Sequence, residues 1–165
     1  MQGALKLEGL AGLKKALDNL PKATSKNVQR RVLLKRAQLV VDSAKAKAPV
    51  RLGHLRRSII ATTKRPAGRA SASRRAFAAA GGGAAGRAAS KAAGASMVEV
   101  FVGPGRHPQA GQQEFGNRRH PPRPYLRPAW DENQRRVLDG IADDMWAEIS
   151  KASARLAKKA ARAKK

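Results

Sequence analysis

The chain has 165 residues and carries 35 lysines and arginines against 11 aspartates and glutamates, a net charge of +24. Such an excess goes far beyond what solubility needs and implies a polyanionic neighbour or a crowded acidic assembly. Cysteine is absent, which excludes disulfides, thiolate metal sites and cysteine nucleophiles, and aromatics make up only 4%, so the core must be small and built on Leu, Val and Ile.

The length is that of one domain, 1–165. The opening MQGALKLEGL has no basic stretch followed by an apolar one, and no apolar run approaches the roughly twenty residues that span a bilayer. The expectation is a chain made in the cytoplasm of its cell, with no membrane partner. Leu10, Leu13, Leu17 and Leu20 share one helical face, which Pro21 ends. A longer helix follows, capped by Thr24 or Ser25, with Val28, Val32, Leu33, Ala37, Val40, Val41, Ala44 and Ala48 at helical spacing and Pro49 as its stop.

APVRLGHLRRSI makes a corner in which Gly53 offers a positive φ, and Leu55 to Thr63 reads as a strand. Residues 65–96, rich in Ala, Gly and Arg, hold one aromatic, Phe77, and no acid. Such a stretch buries too little surface to offset its ordering entropy and reads as a flexible insertion, although its alanine runs can form transient helix. Met97 to Gly105 alternates as a strand.

The line QEFGNRRHPPRPYLRPAW, 113–130, has four prolines and can be neither a regular helix nor a strand interior. It reads as a stiff strap into a last helix, with Pro128 in the first turn and Asp131 and Glu132 as first-turn acids. Leu138, Ile141, Met145, Ile149, Ala152 and Leu156 form that helix's seam, and 151–165 is a basic tail. The plan is α+β: N-terminal amphipathic helices, a small antiparallel sheet with a long flexible inserted loop, and a long C-terminal helix.

No constellation supports catalysis. His107, Glu114 and His120 match no recurring metal-ligand spacing and sit among arginines. A carboxylate beside arginines has its pKa lowered, the wrong direction for a base near neutrality, so Glu114 fits a partner of backbone N–H groups or an arginine. Ser43 and Ser58 lack a nucleophile elbow, and neither Gly103-x-Gly105 nor Gly81 to Gly83 completes a phosphate-binding loop. The expectation is a non-enzyme with no cofactor and no metal. Arg65, Arg69, Arg74, Arg75, Arg87 and Lys91, with the basic tail, suit sequence-nonspecific contact with nucleic acid or matching to acidic proteins; aromatics to stack bases are too few for a single-strand reader.

Two stretches add a resemblance. AKAKAPVRLGHLRRSI, Ala44 to Ile59, and EFG followed by PPRPYLRPAW resemble, in that order, motifs of a phage tail-component family named after gene product ten of its type phage. The likeness runs over roughly 10–149 without 65–96. Leu52 and Asn117 stand where the family commonly has threonine, and the insertion is an addition.

The resemblance implies a virion protein of the neck, assembled in the bacterial host cytoplasm, that joins heads to tails or completes tails. It would act as a ring of six or twelve identical copies, meeting adaptor or stopper proteins on the head side and a tail terminator or tail tube on the other. Packaged DNA is a further, nonspecific contact. Pro49, Gly53, Leu55 and Arg56 would define the fold's corner. Phe115, Tyr125, Leu126 and Trp130 would fill apolar pockets, and Arg118, Arg123 and Arg127 would pair with a neighbour's acids. The alternatives are a basic nucleic-acid-binding protein and a minor capsid or decoration protein.

Overall fold

A computed structural model describes residues 10–50, 52–66 and 70–163. Helix α1 spans Leu10–Asp18 and α2 spans Lys22–Lys47. Pro21 itself precedes the first turn of α2, and its carbonyl accepts the Ser25 N–H at 3.0 Å. The helix therefore begins before Thr24 and Ser25, and neither caps it. Its end is as expected: Ala48, held extended at ψ 132° before Pro49, cannot continue the helix.

The corner is a correction. Residues read as the start of a strand form the short helix α3, His54–Ser58, and only Ile60–Thr62 is strand β1. Gly53, at φ 71°, starts that turn. One helical turn puts Leu55 and Ile59 on the same side, and both are buried. A strand would have aimed Arg57 the same way, which the core cannot take.

Residues 65–96, expected to be flexible, contain α4 (Ala72–Ala79) and α5 (Gly83–Ser96) as a packed hairpin. Ser71 caps α4 by accepting the Arg74 N–H, and Gly81, Gly82 and Gly83, all at positive φ, make the turn. The hairpin needs no large core because glycines on α5 let residues of α4 pack close against it. A Cβ on Gly86 would lie 2.8 Å from the Phe77 ring and one on Gly94 3.0 Å from Ser73 Oγ. Lys26 then donates to the Gly94 carbonyl at 2.7 Å, tying α5 to α2.

Strand β2 is Phe101–Gly103, shorter than the alternating pattern of 97–105. It pairs antiparallel with β1 in the register Ile60 with Gly103, Ala61 with Val102, and Thr62 with Phe101. Helix α6, Ala110–Phe115, follows, and α7 runs from Leu126 to Ala163. Pro128 falls in the first turn of α7, as expected. Asp131 and Glu132 fall past that turn, and the residues read as a basic tail are helical as far as 163.

Helices α2 and α7 lie antiparallel, because the numbers of their ion-paired residues run in opposite directions. Arg31 meets Glu148 at 2.8 Å, Lys35 and Arg36 meet Asp144 at 3.1 and 2.7 Å, and Lys47 meets Glu132 at 2.8 Å. Such surface pairs each contribute little energy, but as a row they favour one register. Gly140 makes room for the row: a Cβ there would sit 2.3 Å from the Arg36 guanidinium carbon.

Two apolar clusters lie along this seam. One joins Leu13 and Leu20 to Val28, Val32, Met145, Ile149 and Ala152. The other joins the C-terminal half of α2 to Leu55, Ile59, Ala110, Tyr125, Ala129 and Val137. Among the described residues, no helix is long and apolar enough to cross a membrane.

Candidate assembly surface

The second cluster carries the strap between α6 and α7. Gly116, at φ 75°, ends α6, and its N–H donates to the Gln112 carbonyl. Asn117 then closes a tight turn. Its Oδ1 accepts the N–H groups of Arg119 and His120 at 2.8 Å each, a local bond that asparagine makes readily. The Arg123 N–H returns to the Gln113 carbonyl at 2.7 Å, so the strap is a closed loop.

Glu114 sits at its centre, almost wholly buried. One carboxylate oxygen accepts the N–H groups of Tyr125 and Leu126 at 2.9 Å, and the other accepts that of Arg127 at 3.0 Å. These are free donors at the start of α7, where the helix dipole also favours negative charge. Burial alone would raise the Glu114 pKa, but the bonds from Leu126, Tyr125 and Arg127 and the charge of Arg127 together hold it below the ordinary glutamate value. The carboxylate is thus fully employed as a cap delivered from another helix. Among the described residues, no group of three or more His, Cys, Asp or Glu is placed to hold a metal ion.

The side chains expected to meet a partner divide into two sets. Tyr125, expected to fill a pocket on a partner, is 0% exposed and lies in the chain's own core. Burial and the Glu114 charge push its phenol pKa up to about 12. Its hydroxyl has no hydrogen-bond partner. Leu126 is half-buried against the same core. Arg127 turns to its own chain, with its guanidinium carbon 4.6 Å from the centre of the Phe115 ring and its Nε 3.6 Å from Glu114.

Phe115, 68% exposed, and Trp130 stay outside the fold, and Arg118 and Arg123 are solvent-facing. Around them stand residues the sequence reading did not single out. Val50, Leu52 (72% exposed) and Ile60 are large, apolar and on the surface. Each of these five lies within three residues of a buried Ala48, Leu55, Ile59, Glu114 or Ala129. They therefore crowd one end of the molecule, where α2 stops and α7 starts. A two-residue periodicity hides Ile60, because Ile59 beside it is the one that packs.

At the corner, Pro49 and Gly53 are half-buried, Leu55 packs inward and Arg56 is exposed. Of the basic residues expected on a flexible arm, Arg65, Arg74, Arg87 and Lys91 are exposed. Arg75 is engaged, by an ion pair to Glu99 and a bond to the Ala70 carbonyl. Arg69 lies outside the described residues.

Residues 11–78 match the model of the HK97-gp10-like family, described as "Bacteriophage HK97-gp10, putative tail-component". The match takes in α1, α2, the proline–glycine corner, β1 and most of α4, so the resemblance carried by Ala44 to Ile59 is found. The strap lies beyond it. No curated protein and no solved structure matches the chain. The class to which residues 11–78 are similar is that of bacteriophage tail components.

Proposed function

We propose that the chain is a non-enzymatic structural protein of the phage neck, a head–tail joining or tail-completion subunit acting in a ring between the portal complex and the tail tube. The observation that carries this reading is the apolar end just described, held out by a fold whose residues 11–78 are similar to a tail component. Val50, Leu52, Ile60, Phe115 and Trp130 flank a rigidly capped strap, and surface of this kind marks contact with other proteins. A ring of identical copies needs heterologous contacts, in which one patch meets a different patch on the next copy. Arg118 and Arg123, solvent-facing on the strap, supply the charged rim of that contact.

The test is complementation of a phage lacking the protein by the variant Phe115→Ala/Trp130→Ala, which trims exposed side chains and leaves the core intact. Filled heads and finished tails should accumulate unjoined. Normal joining by this variant, or absence of the protein from purified particles by mass spectrometry, would overturn the reading. Labelled protein found over the capsid shell would replace the neck by a decoration role.

A further inference from the structure

The opposite end of the seam has a different chemistry. Of the chain's eleven carboxylates, Asp131, Glu132, Asp139, Asp143, Asp144 and Glu148 lie on α7 between 131 and 148, and no acid follows them. Glu132, Asp144 and Glu148 are spent on α2. Beyond Glu148 the two helices diverge in charge and leave a groove of about 470 Å³ between the first turns of α2 and the last turns of α7. Ala152 and Leu156 form its floor, while Thr24, Asn27, Arg30 and Arg155 rim it. Arg31, also at the rim, is held by Glu148. Arg30 and Arg155 are exposed and have no carboxylate among the described residues.

Along α7 the row continues. Lys151, Arg155, Lys158 and Arg162 recur at intervals of four, three and four, which puts them on one helical face over about 16 Å. Duplex DNA carries about ten phosphates over that length, counting both strands.

We propose that this groove and the basic face beyond it bind the phosphate backbone of double-stranded DNA without reading its sequence. Guanidinium groups pair with phosphate oxygens in a two-pronged geometry, and the Thr24 hydroxyl and Asn27 amide add neutral donors. The groove's lining holds no aromatic ring, so bases have nothing to stack on. An acidic protein is the lesser fit. Val50, Leu52, Ile60, Phe115 and Trp130 are gathered at the other end of the molecule; Trp146 is exposed on this stretch of α7 but does not line the groove, whose apolar floor is only Ala152 and Leu156. The positive charge also arises by a simple device: α2 holds Glu132, Asp144 and Glu148, Glu148 also pairs with Lys151 at 3.4 Å, and no acid stands on α7 beyond it.

The inference does not rest on the neck assignment, because it is measured on the isolated protein. Fluorescence anisotropy of a mixed-sequence duplex of about 30 base pairs is followed with the full chain from about 50 to 200 mM salt. The variant Arg30→Ala/Arg155→Ala/Lys158→Ala/Arg162→Ala is compared with Arg65→Ala/Arg74→Ala/Arg87→Ala/Lys91→Ala, which removes equal charge from the α4–α5 side; circular dichroism checks that both are folded.

The groove variant should lose about tenfold or more in affinity, with a salt slope shallower by about 3, while the control variant loses less than about threefold. Equal losses in the two variants would overturn the site in favour of diffuse charge. No binding by the wild type at about 100 mM salt would overturn it outright. Tighter binding of polyglutamate than of duplex by the wild type, lost in the groove variant, would assign the site to an acidic protein instead.

Discussion

Glu114, the last residue but one of α6, accepts the backbone N–H of Leu126, the first residue of α7, at 2.9 Å. A side chain twelve positions away thus does what a local serine or aspartate ordinarily does for a helix start. The same carboxylate takes the N–H groups of Tyr125 and Arg127, so the strap and the longest helix are fixed to each other through one residue.

Replacing that carboxylate by an amide tests the arrangement. Glu114→Gln keeps one acceptor oxygen but turns an NH2 group towards N–H donors, and should cost about 2 to 3 kcal/mol at pH 7 by urea denaturation. The pH dependence follows from the depressed pKa. The contribution of Glu114 is complete above its unfolded value, about 4.3, and is lost as pH falls through the lower folded value. The gap between wild type and variant should therefore shrink below about pH 4. A gap constant down to about pH 2 would remove the carboxylate from its role.

Tyr125 offers a contrast between ring and hydroxyl. Its ring is enclosed, but its hydroxyl is buried without a partner. Tyr125→Phe should be neutral or stabilising by up to about 1 kcal/mol, whereas Tyr125→Ala should cost about 3 to 5 kcal/mol. Thermal denaturation of the two variants side by side decides it. A marked loss in the phenylalanine variant would mean that the hydroxyl is bonded.

Gly116 answers to two constraints at once. Its φ is 75°, and a Cβ would lie 2.9 Å from the Pro122 nitrogen and 3.0 Å from the His120 carbonyl oxygen. Both neighbours are backbone and cannot swing aside. Gly116→Ala should destabilise by about 2 kcal/mol or more, and amide exchange should show loosened protection at Tyr125 and Leu126.

Gly140→Ala is a different kind of glycine change, because the obstacle is the far end of a flexible arginine. Helix propensity gains about 1 kcal/mol while the Arg36 guanidinium is pushed off Asp144, so the net change should stay within about 1 kcal/mol. The coupling should not survive. Asp144→Asn should cost less in the Gly140→Ala background than in the wild type, the remainder being its pair with Lys35. Equal costs in both backgrounds would show that Arg36 keeps its hold.

Much of this was legible because it follows from local rules. Pro21 and Pro49 bound α2 wherever that helix packs, since the residue before a proline avoids helical geometry. Leucine and valine spacing marked the seam of α1, α2 and α7, and Pro128 marked the start of α7. The hairpin of α4 and α5 was not legible, because glycines that look like disorder in a composition become contact points once a facing helix brings Phe77 and Ser73 against them. The strand expected from Leu55 failed for a related reason: only the position of the core decides whether Arg57 shares the face of Leu55 and Ile59 or turns away from it.

The sequence by itself determined where the helices stop, how small the core is and that positive charge is in large excess, because these are properties of single residues and of their spacing. Tertiary structure alone decided that Glu114 caps α7, that Tyr125 is core while Phe115 and Trp130 are surface, and that Arg30 of α2 and Arg155 of α7 come to line one groove. Each of those outcomes depends on which distant residue arrives alongside, and that is set by the antiparallel register of α2 and α7 and the closure of the strap.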